Sequence, residues 1–199
     1  MPGPARSGEP GILAHAPAMA SRIVLRPSTD AELPAIAAIY GWHVAHGTGT
    51  FELEPPSESD MAARRADVLE RGLPWLVAEE DGRVLGYAYA AKHRDRAAYR
   101  WSVDVSVYIA ERHRGQGIGR RLYEGLFADL ADLGYVMAFA GITLPNPASV
   151  GLHEAVGFRP LGVFSSVGYK HGRWHDVGWW QRPLRDAPTE PEPPRAWSP

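Results

Sequence analysis

Apolar positions recur along this chain with two periods, and the switches between them mark out its elements. Alternation predicts strands, and recurrence at three and four positions predicts helices. Arg22–Arg26 reads as a short strand. Thr29 and Glu32 then form a capping box before a helix whose inward face is Leu33, Ile36, Ala37 and Tyr40. The glycines between Gly41 and Thr50 predict a loop, and Phe51–Pro56 an extended segment. Ser57 can cap a polar helix over about 58–71, with Met61, Val68 and Leu69 inward. Trp75–Glu79 and Arg83–Ala91 flank Asp81-Gly82, a type I′ hairpin signal. The strictest alternation runs over Tyr99–Ile109. Tyr99, Trp101, Val103, Val105, Val107 and Ile109 point one way; Arg100, Ser102, Asp104, Ser106 and Tyr108 point the other.

After a glycine-rich loop, Ile118, Leu122, Leu126, Leu130 and Leu133 form the stripe of a helix that Gly134 closes. Tyr135–Ile142 is an apolar strand, and Pro147 suits the first turn of a helix reaching about Val156. Phe158–Val167 and Val177–Leu184 read as a final antiparallel pair, with His171-Gly172 near the turn. The order β-α-α-β-β-β-α-β-α-β-β predicts an α/β fold with a mixed, mostly antiparallel central sheet flanked by helices.

Composition narrows this picture. The chain has 199 residues, 45% of them hydrophobic, which suits one domain with a real core. Nine of the 18 prolines lie in 1–20 and 186–199. These ends read as a disordered leader, with Met19 a candidate alternative start, and a solvated Pro-rich tail around a domain spanning 21–185. The absence of Cys excludes disulfides, thiolate metal sites and a cysteinyl intermediate. A net charge of -2 argues against a nucleic-acid partner, and no apolar run has the length of a membrane span.

The most informative stretch is Arg114-Gly115-Gln116-Gly117-Ile118-Gly119, which leaves a strand and opens a helix. Side-chain-free backbone and a helix N-terminus suit a pyrophosphate, and Arg112, Arg114, Arg120 and Arg121 add positive charge. Counting from Gly115, the sixth position of a Rossmann fingerprint is Arg120 rather than Gly. The only lysines, Lys92 and Lys170, are not placed for a Walker motif. What fits is Arg-x-x-Gly-x-Gly, met by Arg114, Gly117 and Gly119. It resembles the acetyl-CoA pyrophosphate loop of the GNAT superfamily of N-acetyltransferases, and Asn146 to Phe158 resembles that superfamily's next helix. Gly86–Ala90, Leu144-Pro145-Asn146 and Gly168–Gly178 (GYKHGRWHDVG) further resemble the phosphinothricin and methionine sulfoximine N-acetyltransferases.

The resemblance implies a GNAT fold over about 22–184. It also implies a cytoplasmic homodimer that carries acetyl from acetyl-CoA, without a metal, to the α-amine of a glutamate-like amino acid, a herbicide-resistance activity. Gly115, Gln116, Gly117, Ile118 and Gly119 with Arg114 would hold the pyrophosphate. The backbone of Val107, Tyr108 and Ile109 would pair with the pantetheine arm, and Asn146 would line its other side. Arg94 and Arg96 would read the substrate's acid groups, with Tyr99, Asp104, Val105 and Ser106 around the acceptor. Other readings are acetylation of another small amine or a peptide N-terminus, or CoA binding without turnover.

Direct transfer needs a base for the ammonium, a donor for the leaving thiolate and donors for the oxyanion. Asp104, a carboxylate in mid-strand, is the candidate base; the alternative is a solvated strand residue. In the resembling family this position is usually Glu, one methylene longer. His153 is the candidate acid, at a place where many superfamily members carry Tyr; the alternative is a His packed against the sheet. Tyr108 and Tyr123 either support a proton path or simply pack. His171, His175 and Asp176 lack the spacing of a metal site. Trp179 and Trp180 alternate, which places one in the core and one at a pocket or interface.

Overall fold

The computed structural model describes residues 23–198. The expected leader at 1–20 lies outside them. Seven strands form one sheet in the order β1-β2-β3-β4-β5-β7-β6. They are β1 (Val24–Pro27), β2 (Trp75–Glu80), β3 (Arg83–Lys92), β4 (Ser102–Ile109), β5 (Met137–Leu144), β6 (Arg159–Lys170) and β7 (Arg173–Pro183). The β4–β5 pair alone is parallel; the other five pairs are antiparallel. Four helices cover the sheet: α1 (Leu33–His46), α2 (Glu58–Glu70), α3 (Ile118–Leu133) and α4 (Pro147–Ala155).

The two faces of the sheet carry different helices. The β4 side chain Tyr108 meets Tyr40 and His43 of α1, so Asp104, Ser106 and Tyr108 share the α1/α2 face. The odd-numbered residues of β4 face α3. The α3 stripe of Ile118, Leu122, Leu126 and Leu130 is no more than 1% exposed. Burying each such side chain stabilises the fold by about 1.5–3 kcal/mol. The expected capping box of Thr29 with Glu32 forms before α1, and Ser57 caps α2 as expected, in a box with Asp60.

Several elements differ from the periodic pattern. Helix α1 runs through Gly41 to His46, where a loop was expected. A Cβ on Gly41 would lie 3.3 Å from Pro55, so this glycine serves close packing rather than a break. A 3-10 turn at Ala97–Tyr99 delays β4 to Ser102, so Tyr99 and Trp101 leave the alternating stripe. Strands β6 and β7 extend to a tight turn at His171 and Gly172, both at positive φ.

The described residues of the expected Pro-rich tail are mostly exposed, yet the segment is hydrogen-bonded to the domain. The Arg195 N–H donates to the Leu133 carbonyl (2.8 Å) and the Trp197 N–H to the Gly72 carbonyl (2.9 Å). The Trp101 indole N–H donates to the Glu192 carbonyl (2.8 Å), and Trp197 packs against the core. Prolines hold the segment extended, and its two tryptophan contacts supply the apolar burial that a purely polar tail lacks.

Candidate active site

β4 and β5 pair only at Ser102–Met137, Val103–Ala138 and Asp104–Phe139, although β4 continues to Ile109 and β5 to Leu144. Beyond Asp104 the strands part, and a groove of about 680 Å³ opens there. The Ala110 N–H donates to the Leu85 carbonyl (2.9 Å). By antiparallel alternation the backbones of Tyr108, Ser106 and Asp104 therefore face β3, and those of Val105, Val107 and Ile109 face the opening. The Ile109 carbonyl is already taken by His43 Nε2 at 2.9 Å, which leaves Val107 with free backbone groups toward β5 on this count. Tyr108 borders the groove with its side chain instead.

At one end of the groove, Gly117 (φ 76°) is the N-cap of α3 and supplies no side-chain cap, so the first-turn N–H groups stay directed outward. A Cβ on Gly115 or Gly117 would meet no protein atom within 4 Å, which leaves room for an anion against the backbone. Gly119 works differently: its Cβ would lie 3.0 Å from Leu152, so it lets α3 and α4 approach. Ile118 is buried beneath the loop. Arg114 borders the groove, 5.8 Å from the Trp42 ring, as does Arg120, which also binds Glu124 at 2.7 Å. Arg121 turns away to the Ile23 carbonyl (2.8 Å). Gln116 does not line the groove; its amide nitrogen donates to the Arg112 carbonyl (3.2 Å). Asn146 forms the opposite wall and caps α4, its Oδ1 accepting from the Ser149 N–H at 3.1 Å. The Leu144–Pro145 peptide before it is cis.

His153 and Asp104 reach this region from opposite faces of the sheet. His153 is 4% exposed and lies with Tyr123 of α3. Its Nδ1 donates to the Ser149 carbonyl (2.7 Å), so Nε2 accepts from the Tyr123 hydroxyl (3.0 Å). Burial holds its pKa below the ordinary histidine value, so the ring is neutral at pH 7 and Nε2 carries no proton to give. Both side chains line the groove.

Asp104 sits at the vertex where β4 and β5 separate, just before the groove-lining Val105 and Ser106. Its Oδ1 accepts from His93 Nδ1 at 2.6 Å. Burial pushes the carboxyl above the ordinary Asp range, while the His93 bond and the nearby Arg94 charge act against that rise. Arg94 and Arg96 are exposed and do not line the groove. Tyr99 is 43% exposed and meets the His93 ring edge-on, 5.9 Å away, so it borders Asp104 only through His93.

Other residues were less legible. His43 and the Gly47–Gly49 loop also line the groove, but sit where the sequence suggested only a loop. The GYKHGRWHD run clamps that loop: Lys170 Nζ donates to the Thr50 carbonyl (2.9 Å) and His171 Nε2 to the Gly47 carbonyl (3.2 Å). His175 bonds the Lys170 carbonyl and Asp176 accepts from the Ser166 N–H, so the three have separate structural tasks. Trp180 is the core member of its pair; Trp179 lies half-buried near Gly141.

The pattern of the Acetyltransferase (GNAT) family matches residues 36–158, and the chain belongs to that family. It is 49% identical over 166 residues to a phosphinothricin N-acetyltransferase of Alcaligenes faecalis, covering 83% of this chain and 84% of that protein. It is 37% identical to an L-methionine sulfoximine/L-methionine sulfone acetyltransferase of Pseudomonas paraeruginosa, covering 82% and 98%. A Sinorhizobium meliloti phosphinothricin acetyltransferase solved with acetyl-CoA superposes with a TM-score of 0.82 at 41% identity, covering 85% and 93%.

Proposed function

We propose that this enzyme transfers acetyl from acetyl-CoA to the α-amine of a glutamate-like amino acid, such as phosphinothricin or methionine sulfoximine. The observation that carries the reading is the β4–β5 opening, with the anion cradle at one end and a half-buried carboxylate at its vertex. The similarity to enzymes named for those two substrates supports the choice of acceptor.

The residues divide the work by face. The first turn of α3, Arg114 and Gly117 hold the pyrophosphate, and Asn146 and the open edge of Val107 flank the pantetheine. Asp104 takes a proton from the substrate ammonium on the α1/α2 face. The freed lone pair attacks the acetyl carbonyl, a C–N bond forms, and backbone N–H groups on the open β4 edge meet the oxyanion. The C–S bond then breaks toward the α3 face. The second proton lost by the amine nitrogen reaches the thiolate by way of the His153–Tyr123 pair, so that CoA leaves as the thiol and the pair ends in its starting protonation state. Arg94 and Arg96 attract the acceptor's acid groups. The test is thiol release from acetyl-CoA with purified protein and a panel of amines. Release with phosphinothricin or methionine sulfoximine well above that with simple alkylamines is expected. No release with either amino acid would sink the reading.

The working form we propose is a cytoplasmic homodimer acting in herbicide resistance. No helix among the described residues is long and apolar enough to cross a membrane. The edge strand β6 leaves Leu161, Val163 and Phe164 more than half exposed, and Trp174 of β7 is 63% exposed. An unpaired apolar edge of this kind seeks a partner strand or face. Sedimentation equilibrium should give a dimer mass that Val163→Glu lowers to that of one chain; a wild-type monomer would contradict it.

A further inference from the structure

The Asp104 carboxylate does not stand alone, and its neighbour has no part in the chemistry so far. Ala91 of β3 lies opposite Asp104 in the register. His93, two positions on and on the same face, is thereby its diagonal neighbour. The imidazole is fixed on three sides. It stacks on Phe139 of β5 (centroids 4.2 Å apart, planes 15° apart), meets Tyr99 edge-on, and places Nδ1 2.6 Å from Asp104 Oδ1. Accessibility separates the two roles. The His93 side chain is 10% exposed and that of Asp104 33%, so the carboxylate is the outer group and the imidazole the inner one.

We infer that His93 is a positioning residue for acetyl transfer: its Nδ1–H fixes Oδ1 and turns the other carboxylate oxygen of Asp104 toward the acceptor amine. This rests on the reading of Asp104 as the base. An Asp side chain has few torsions, and one strong bond to a stacked donor leaves it a single orientation. Small misplacements of a base are costly in rate because attack needs near-contact geometry. The same bond opposes the effect of burial, which otherwise favours the neutral carboxylic acid.

Two substitutions separate the bond from the packing. His93→Phe keeps an aromatic ring on Phe139 and removes the donor. His93→Asn discards most of the ring and keeps a nitrogen donor near Nδ1. The expected result is a fall in kcat of about 10–100-fold for His93→Phe, a part of what a positioned base supplies. The acetyl-CoA KM should stay near the wild-type value, and His93→Asn should retain kcat within about fivefold. Wild-type kcat in His93→Phe, or an equal fall in both variants, would overturn the inference. Nitrogen-15 NMR of the wild-type imidazole gives a readout independent of turnover. The neutral ring should carry its proton on Nδ1, and an Nε2–H tautomer would overturn the assignment. If the tautomer is as expected but no amino acid is acetylated, the proposed reaction fails while the His93–Asp104 bond stands.

Discussion

Asp104→Asn is expected to lower kcat by about 10²–10⁴-fold, the range a positioned general base contributes. Asn is nearly isosteric and can keep an oxygen toward His93 Nδ1, so the fold at the β4–β5 vertex should survive. What is lost is the ability to hold a proton. The pyrophosphate end is formed by other residues, so the acetyl-CoA KM should change by less than about threefold. Steady-state kinetics with both substrates varied separate these outcomes. Wild-type turnover in the variant would remove Asp104 from the chemistry.

Gly117→Val should fail in the complementary way. Gly117 is at φ 76°, a conformation that a β-branched residue adopts only with strain of about 1–3 kcal/mol. No protein atom lies within 4 Å of the new Cβ, so the fold has room for it. The ligand does not: the side chain would stand where the pyrophosphate meets the first turn of α3. The acetyl-CoA KM should rise by about 10–100-fold, in line with losing one or two charge-assisted hydrogen bonds, while the KM for the amine changes little. Titration calorimetry with CoA checks the same loss without turnover. Unchanged CoA affinity would contradict the cradle.

These two sites were legible in the sequence for different reasons. The proposed cradle is a local pattern: strand, Arg-x-x-Gly-x-Gly and helix lie within one short stretch, where a resemblance to a known loop can be read directly. Asp104 announced itself as a carboxylate in an alternating strand. Its partner His93 was hidden in a charged run, and only the β3–β4 register brings it beside Asp104. The pairing of His153 with Tyr123 needed the α3–α4 contact, which no local pattern reports.

Glycine was the main source of error in the elements. The expected strand Phe158–Val167 stops short of Gly168, which β6 includes on its way to Lys170. A Cβ on Gly168 would run into the Phe51 ring, and one on Gly178 into Trp180. Phe51 lies far along the chain from Gly168, and period-two reasoning sees only the missing side chain there; Trp180 is two residues from Gly178. Proline misled in the same way at the C-terminal end. An extended proline-rich segment has no internal hydrogen bonds, and whether it is loose depends on the surface it meets. Here Leu133, Gly72 and Trp101 provide one.

Under the proposed function, the α-amine of a glutamate-like amino acid attacks acetyl-CoA directly in the β4–β5 opening. It is tested most directly by mass spectrometry of the product formed from acetyl-CoA carrying a labelled acetyl group and either methionine sulfoximine or phosphinothricin. One labelled acetyl is expected on the α-nitrogen of the amino acid, with free CoA formed in equal amount and no acetyl on the protein. An unmodified amino acid, or label found instead on a protein side chain, would contradict it.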